Sequence, residues 1–325
     1  MSFTRVSRAF GFVIVGLPLL AALGLLAKPI ASQSAQASRE AEGVRQLKGA
    51  IDMHFHMDAA TPGKPPGFAS IADVKVAHSH GMRGLVIKNH HEPTASLAYL
   101  LRMEIPNFDL FGGIVMNFTN GGENPAAVEF MATQIDGAPG KVVWMPAGDS
   151  EIESRISKDP VKPPFVAVSR NGELVPETKA VISVIAKNNL ILASGHISPE
   201  DAFLVFAEGR KQGVQHMIAT HAMDLAGKMT LDQIQEAVKL GAIIEFDFRN
   251  ILSEGGRRAD VIRKIGPEHC LISEFWTKND QPKEYAGYEG VGAFVDAMHT
   301  RGFTDRELDT MFKENPAKLL GLSVQ

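Results

Sequence analysis

The residues best suited to chemistry lie in the stretch Ile51-Asp52-Met53-His54-Phe55-His56-Met57-Asp58. In a β-strand, side chains two residues apart point to the same side, so His54 and His56 are expected to share a face with Asp52. Neutral imidazole is a good ligand for Zn²⁺ and related borderline metals, and two of them converging at a strand end make half of a metal site. Taken alone, the pair reads equally well as two ordinary histidines, a residue type of intermediate burial. Further ligands at the ends of other strands decide between the two.

Those strands are legible along the chain. Apolar runs recur near residues 50, 86, 113, 143, 192, 218, 244 and 272. Amphipathic stretches and helix-start signals lie between nearly all of them. Thr94 is placed to cap a helix running to Met103. Ser198-Pro199-Glu200-Asp201 starts another, and Thr230–Gln233 and Thr304–Glu307 read as capping boxes. Strands alternating with helices imply a parallel sheet with helical crossovers, and eight such units imply a closed α/β (β/α)8 TIM barrel. An open doubly wound sheet is the alternative, but no Gly-x-Gly-x-x-Gly follows a strand and no glycine-rich loop ends in Lys-Ser/Thr. Residues 147–175 break the rhythm and read as a loop insertion or small hairpin in a single domain over residues 38–325.

The N-terminus follows different rules. Arg5 and Arg8 precede an uncharged stretch from Ala9 to Ala27, and Lys28 and a small polar run ending in Ala35-Gln36-Ala37 follow it. This matches a secretory signal peptide over residues 1–37, with export to the periplasm expected. A retained N-terminal membrane anchor is the alternative, since a span needs about 20 apolar residues. Cleavage after Ala37 removes Arg5, Arg8 and Lys28 and no acid, moving the formal charge from −4 to −7. That balance gives no reason to expect a nucleic-acid partner. The single cysteine, Cys270, cannot form an internal disulfide and reads as a buried strand thiol.

A barrel gathers the C-terminal ends of all its strands at one mouth. On the strand map, His54 and His56 end the first strand, and Lys88, His90 and His91 follow the second. His196 ends the fifth, His221 the sixth and Glu274 the eighth. Six of the 11 histidines fall at these positions, which scattered core histidines would not do. The closing Asn315-Pro316-Ala317-Lys318-Leu319-Leu320-Gly321 completes an ordered set, and with it the chain resembles the amidohydrolase superfamily of metal-dependent hydrolases. Its phosphotriesterase-like and less characterised bacterial branches are the most similar.

The resemblance spans about residues 48–322. It implies one or two divalent metal ions, with Zn the first choice and Mn, Fe, Co or Ni alternatives, and a metal-activated hydroxide. By that resemblance His54 and His56 hold the more buried metal, Glu274 touches it and acts as proton acceptor, and His196 and His221 hold the second. Two-metal members carry a bridging carboxylated lysine or acid, which the fourth strand, Val142–Pro146, lacks. Lys88, as N6-carboxylysine, is the substitute candidate for bridge and catalytic group; otherwise it binds a substrate anion or a buried acid. The superfamily usually has Asp where this chain has Glu274.

His90 reads as a catalytic group stabilising an oxyanion, a role open also to His221. His91, Asn117 and Asn120 read as substrate contacts, although Asn-Gly-Gly is also a turn signal. Asp52, Glu245, Asp247 and Asp224 are candidates for orienting the ligands. The expected reaction is hydrolysis of an ester, lactone, amide or phosphoester in a small-molecule substrate. A metal-dependent decarboxylase and a non-catalytic metal- or solute-binding barrel are the alternatives. The oligomeric state stays open, a homodimer included.

Overall fold

Short apolar runs too brief for helices, each followed by an amphipathic segment, pair side by side and lay their helices outside. The computed structural model describes residues 30–57, 70–275 and 287–324, apart from 134, 138, 159, 162–163 and 225–227. Residues 61–67, rich in Pro and Gly, and Trp276, a candidate lining residue by its aromatic type, lie outside the described residues.

One eight-stranded parallel sheet runs in the order β1 (Ile51–His56), β2 (Gly84–Lys88), β3 (Asp109–Val115), β4 (Gly140–Trp144), β7 (Ile191–Ala193), β8 (His216–Ala219), β9 (Ala242–Asp247), β10 (Cys270–Ser273). All eight expected strands are present, and the fold is the (β/α)8 barrel. Helices α2 (Ile71–Ser79), α3 (Ala95–Glu104), α4 (Pro125–Thr133), α6 (Pro176–Lys187), α7 (Pro199–Gln212), α8 (Leu231–Lys239), α9 (Arg257–Ile265) and α10 (Gly287–Thr300) connect or follow the strands. Between β4 and α6, the segment 147–175 carries α5 (Glu151–Ile156) and an antiparallel hairpin of β5 (Ser169–Arg170) and β6 (Glu173–Leu174). Where β1 meets β10 the seam is held by a side chain, with Glu274 N donating to Asp52 Oδ1 at 3.0 Å.

Two apolar layers result. Ile51, Met53, Val86, Val142, Trp144, Ile191, Ile218 and Leu271 fill the barrel interior, with Ala317, Leu319 and Leu320 of α11 (Asn315–Leu319) and its end packed against them. Phe55, Ile87, Ile114, Val143, Leu192, Ile244 and Ile272 face the helices. Trp144 fits inside only because position 113 is glycine: a Cβ there would stand 2.4 Å from the indole and 2.3 Å from the Val142 carbonyl.

Three local expectations are refined. A register shift between Asp52 and Phe55 resets the alternation of β1. Met53 therefore packs inside, and Asp52 does not simply share the face of His54 and His56; its Oδ1 accepts from the backbone N–H of His54 at 3.0 Å as well as from Glu274. Thr94 does not cap α3: its Oγ1 donates to the Ile87 carbonyl at 2.6 Å and accepts from Gly113 N at 2.9 Å, tying β2 to β3. Ser198, Thr230 and Thr304 do cap their helices.

The signal-peptide reading falls largely on residues 1–29, outside the described ones. Helix α1 (Ile30–Leu47) runs through Ala35-Gln36-Ala37 and packs on α10, where a Cβ at Gly292 would collide with the Arg39 carbonyl. Among the described residues no helix is long and apolar enough to cross a membrane. Cys270 is buried and free.

Candidate metal centre at the barrel mouth

The register of β1 carries His54 and His56 to the mouth, and the other strand ends bring their partners. His54 is fully buried. Its Nδ1 lies 2.6 Å from Glu245 Oε1 on β9, and Ser273 Oγ donates to the same oxygen at 2.6 Å. An Nδ1–H donated to that carboxylate leaves the Nε2 lone pair facing the mouth. There Nε2 stands 3.5 Å from Glu274 Oε1. His56 Nε2 is 3.5 Å and His221 Nε2 3.2 Å from the same oxygen. Three imidazole nitrogens thus converge on one carboxylate oxygen.

Both loop residues that complete this convergence have left-handed backbone, His221 with φ 45° and Glu274 with φ 57°. For a non-glycine residue this costs about 1–3 kcal/mol and is tolerated where the surroundings impose it. The second oxygen of Glu274 accepts a short hydrogen bond from Arg249 Nη2. Arg249 also binds both oxygens of Asp247, with Nε at 2.9 and 3.0 Å and Nη2 at 2.5 Å. Oε2 of Glu274 is thereby held by a cation while Oε1 faces the histidines.

Lys88, fully buried at the end of β2, places Nζ 2.8 Å from His54 Nε2 and 5.2 Å from the Trp144 ring centroid. Trp144 forms the apolar floor, 5.8 Å from the His54 ring. Above, His90 stacks on His56 at 5.1 Å, and His196 lies 6.2 Å from His90 and 5.7 Å from His221 between centroids.

His221 stands 4.6 Å from His54 and joins its cluster, whereas His196 turns Nδ1 towards Glu153 of α5 at 3.3 Å. Among the described residues the groups close enough to share one ion are His54–His56–Glu274 and His54–His221–Glu245; neither includes His196. By these distances His221 stands with His54, His56 and Glu274, and His196 with Glu153.

The remaining candidates take the following places. Asn117 is buried and committed to the backbone: its amide donates to the His90 carbonyl at 3.0 Å and accepts from Ala147 N at 2.9 Å and Asp149 N at 3.3 Å. Asn120 donates to the Val115 carbonyl at 2.7 Å. Both shape the loops and leave little for a substrate. His91 is exposed at the rim. Asp224 pairs with Arg258 at 2.5 Å and does not orient a histidine. Phe275 packs on Phe248 and Phe312 in the layer between strands and helices, outside the mouth. Glu153 and Ser273 were not singled out from the sequence; Glu153 sits in an insertion without periodicity, and a serine inside an apolar strand carries no signal.

The electrostatics follow from burial and proximity. Burial, reinforced by Lys88, holds His54 well below the usual imidazole range, and burial lowers His196 to about 4. Burial also opposes charge on His221, but the Glu274 carboxylate outweighs it and raises the imidazole to about 9. Glu274 likewise lies well below the usual carboxylate range: burial alone would raise it, and His221, His56 and His54 prevail. Asp52 is pushed up to about 7 by burial, against the two backbone donors that favour its ionised form.

The donor set fits a divalent cation. Imidazole nitrogens and a carboxylate oxygen suit Zn²⁺ and its neighbours, and the buried Nδ1 of His221 has no hydrogen-bond partner while its Nε2 is aimed at the centre. Fold and ligand positions together define a (β/α)8 barrel with a candidate metal centre at its mouth.

Solved structures with this architecture include an amidohydrolase from Pseudomonas aeruginosa, at 10% identity and TM-score 0.58 over 86% of this chain and 98% of that one. An organophosphorus hydrolase from Deinococcus radiodurans matches at 14% and 0.55, over 85% and 93%. A 2,6-dihydroxybenzoate decarboxylase matches at 12% and 0.55, over 85% and 100%. The chain belongs to the family of unknown function DUF6282, whose model matches residues 49–245. No curated protein matches the sequence.

Proposed function

We propose that the protein is a metal-dependent hydrolase acting on an ester, lactone, amide or phosphoester of a small molecule. The observation that carries this is the convergence of His54, His56 and His221 Nε2 on Glu274 Oε1 within 3.5 Å. His54, His56 and His221 would hold a first ion together with Glu274, and Zn²⁺ is the first choice. His196, with Lys88 or His90, would contribute to a second. When bound, the metal polarises the scissile carbonyl or phosphoryl group and brings water into a reactive state near neutral pH.

The protein's own groups do the rest. Glu274 accepts the proton of the attacking water at Oε1 and returns it to the leaving group. Arg249 keeps Oε2 occupied, so that Oε1 stays turned inward. Glu245 fixes the ring and tautomer of His54. Trp144 closes the floor to water, and His90 at the rim is placed to donate to a developing oxyanion. Lys88, set against His54, becomes a bridging ligand if its amine carries CO₂; an ammonium so close to bound cations would be repelled. A leader that exports the chain to the periplasm belongs to the same reading.

Metal analysis of the purified protein tests the proposal. One to two equivalents are expected, reduced in His54→Ala, together with hydrolysis in a screen of lactones, amides and phosphotriesters. A metal-free protein that stays fully active would sink it. The decarboxylase among the similar structures makes hydroxybenzoates a necessary arm of that screen. Turnover there, with none on hydrolysable substrates, would transfer the site to decarboxylation. Intact mass of the native protein reads the proposed carboxylation: one CO₂ is gained, and lost in Lys88→Arg.

A further inference from the structure

At the end of the barrel away from the mouth, the starts of β3 and β4, the end of α3 and the C-terminal segment line a cavity of about 520 Å³. That size suits a small organic molecule, since ligand pockets span about 300–1,000 Å³. Phe108, Phe111, Leu320 and Leu322 give it apolar walls. Two cations stand in the same lining, Arg102 from α3 and Lys141 from β4, and both are half-buried.

Among the described residues neither cation has a carboxylate partner. Arg102 lies over Phe111, 4.8 Å from the ring centroid, and donates to carbonyls, from Nε to Leu110 at 2.6 Å and from Nη1 to Gly137 at 3.3 Å. Lys141 makes no hydrogen bond or ion pair among the described residues, and its Nζ is not sealed from solvent, so a ligand in the cavity reaches it. The acid in the lining, Asp109, is taken by Arg83, whose Nε stands 3.0 Å from its Oδ2. Like charges brought together in a partly desolvated place disfavour each other. Lys141 is accordingly held below the ordinary lysine range, by burial first and by Arg102 second. Two half-buried cations without a counter-ion are completed by an anion from outside.

We propose that this cavity binds a small organic carboxylate, its charge between Lys141 and Arg102 and its apolar body along Phe111 and Leu322. A carboxylate presents two oxygens, one for the ammonium and one for the planar guanidinium. A phosphate dianion would set a second negative charge near Asp109. The packed barrel interior, Val142 and Trp144 included, separates this cavity from the histidine cluster, so the carboxylate is a ligand apart from the substrate at the mouth. The inference does not depend on the metal chemistry.

Reductive methylation of the full chain, read lysine by lysine by peptide mass spectrometry, tests the site. The probes are 3-phenylpropionate and 3-phenylpropanamide, its uncharged isostere. Reading Lys141 alone keeps any binding at the mouth out of the measurement. The propionate is expected to slow methylation of Lys141 at least fivefold and to leave Lys187, exposed at the end of α6, unchanged. The amide should protect neither. Leu322→Asp, at a half-buried position of the lining, should abolish the protection, measured against the variant's own rate without ligand. Equal rates with and without the propionate overturn the proposal, as does equal protection by the amide or undiminished protection in Leu322→Asp. A Lys141 that resists methylation altogether overturns it too, because the site needs an accessible amine. If Leu322→Asp does not fold, Arg102→Gln takes its place: lost protection of Lys141 supports the site and unchanged protection overturns it.

Discussion

His54 Nδ1 and Glu245 Oε1 stand 2.6 Å apart, joining the first strand of the barrel to the seventh across its interior. The contact selects the tautomer that leaves Nε2 available and prevents the ring from turning. Removal of a carboxylate behind a metal-binding histidine typically lowers metal affinity or activity by about 10–100-fold. Glu245→Gln is expected to weaken metal binding by that order, read by chelator competition. Affinity equal to that of the parent protein would show that Glu245 serves packing alone.

Asn117 is expected to act on stability and not on substrate. Its amide satisfies three backbone groups of the loops after β2 and β4. Leaving such groups unsatisfied costs about 1–3 kcal/mol. Asn117→Ala should lower the urea midpoint accordingly. An unchanged midpoint with a raised KM would restore the substrate contact expected from the sequence.

Asn315 gives the closing motif a physical role. Its side-chain nitrogen lies 3.0, 3.2 and 2.7 Å from the carbonyl oxygens of Pro267, Glu268 and Cys270, clamping the entry to β10. Asn315→Ala is expected to destabilise the protein by about 1–3 kcal/mol, read by denaturant unfolding. Asn315→Asp should do no better, since a carboxylate cannot donate to carbonyls.

Stability should depend on pH through Glu123. Its folded-state pKa, about 8, lies above the ordinary value of 4.5, so the folded protein holds that proton more tightly than the unfolded chain. The contribution is fully present below about pH 4.5 and is lost as pH rises through 8. Glu123→Gln should remove this part of the decline in Tm between those limits. A Tm profile identical in the parent and the variant would contradict the assignment.

Much of this protein was legible before folding because barrel strands and their helices obey short-range rules. The alternation of apolar runs with amphipathic helices set the (β/α)8 architecture. Because a barrel sends every strand end to one mouth, His54, His56, Lys88, His196, His221 and Glu274 were brought to a common end without reference to any contact. What tertiary structure alone decided was which of them meet. The register shift between Asp52 and Phe55 moved Asp52 from the histidine face to the seam, where it joins β1 to the start of the Glu274 loop. Left-handed backbone at His221 and Glu274 turned both towards His54 and His56. Glu153 drew His196 aside, from an insertion that has no period to read. Strand position follows from local pattern; the last few ångströms between side chains depend on bulges, turns and partners distant in sequence.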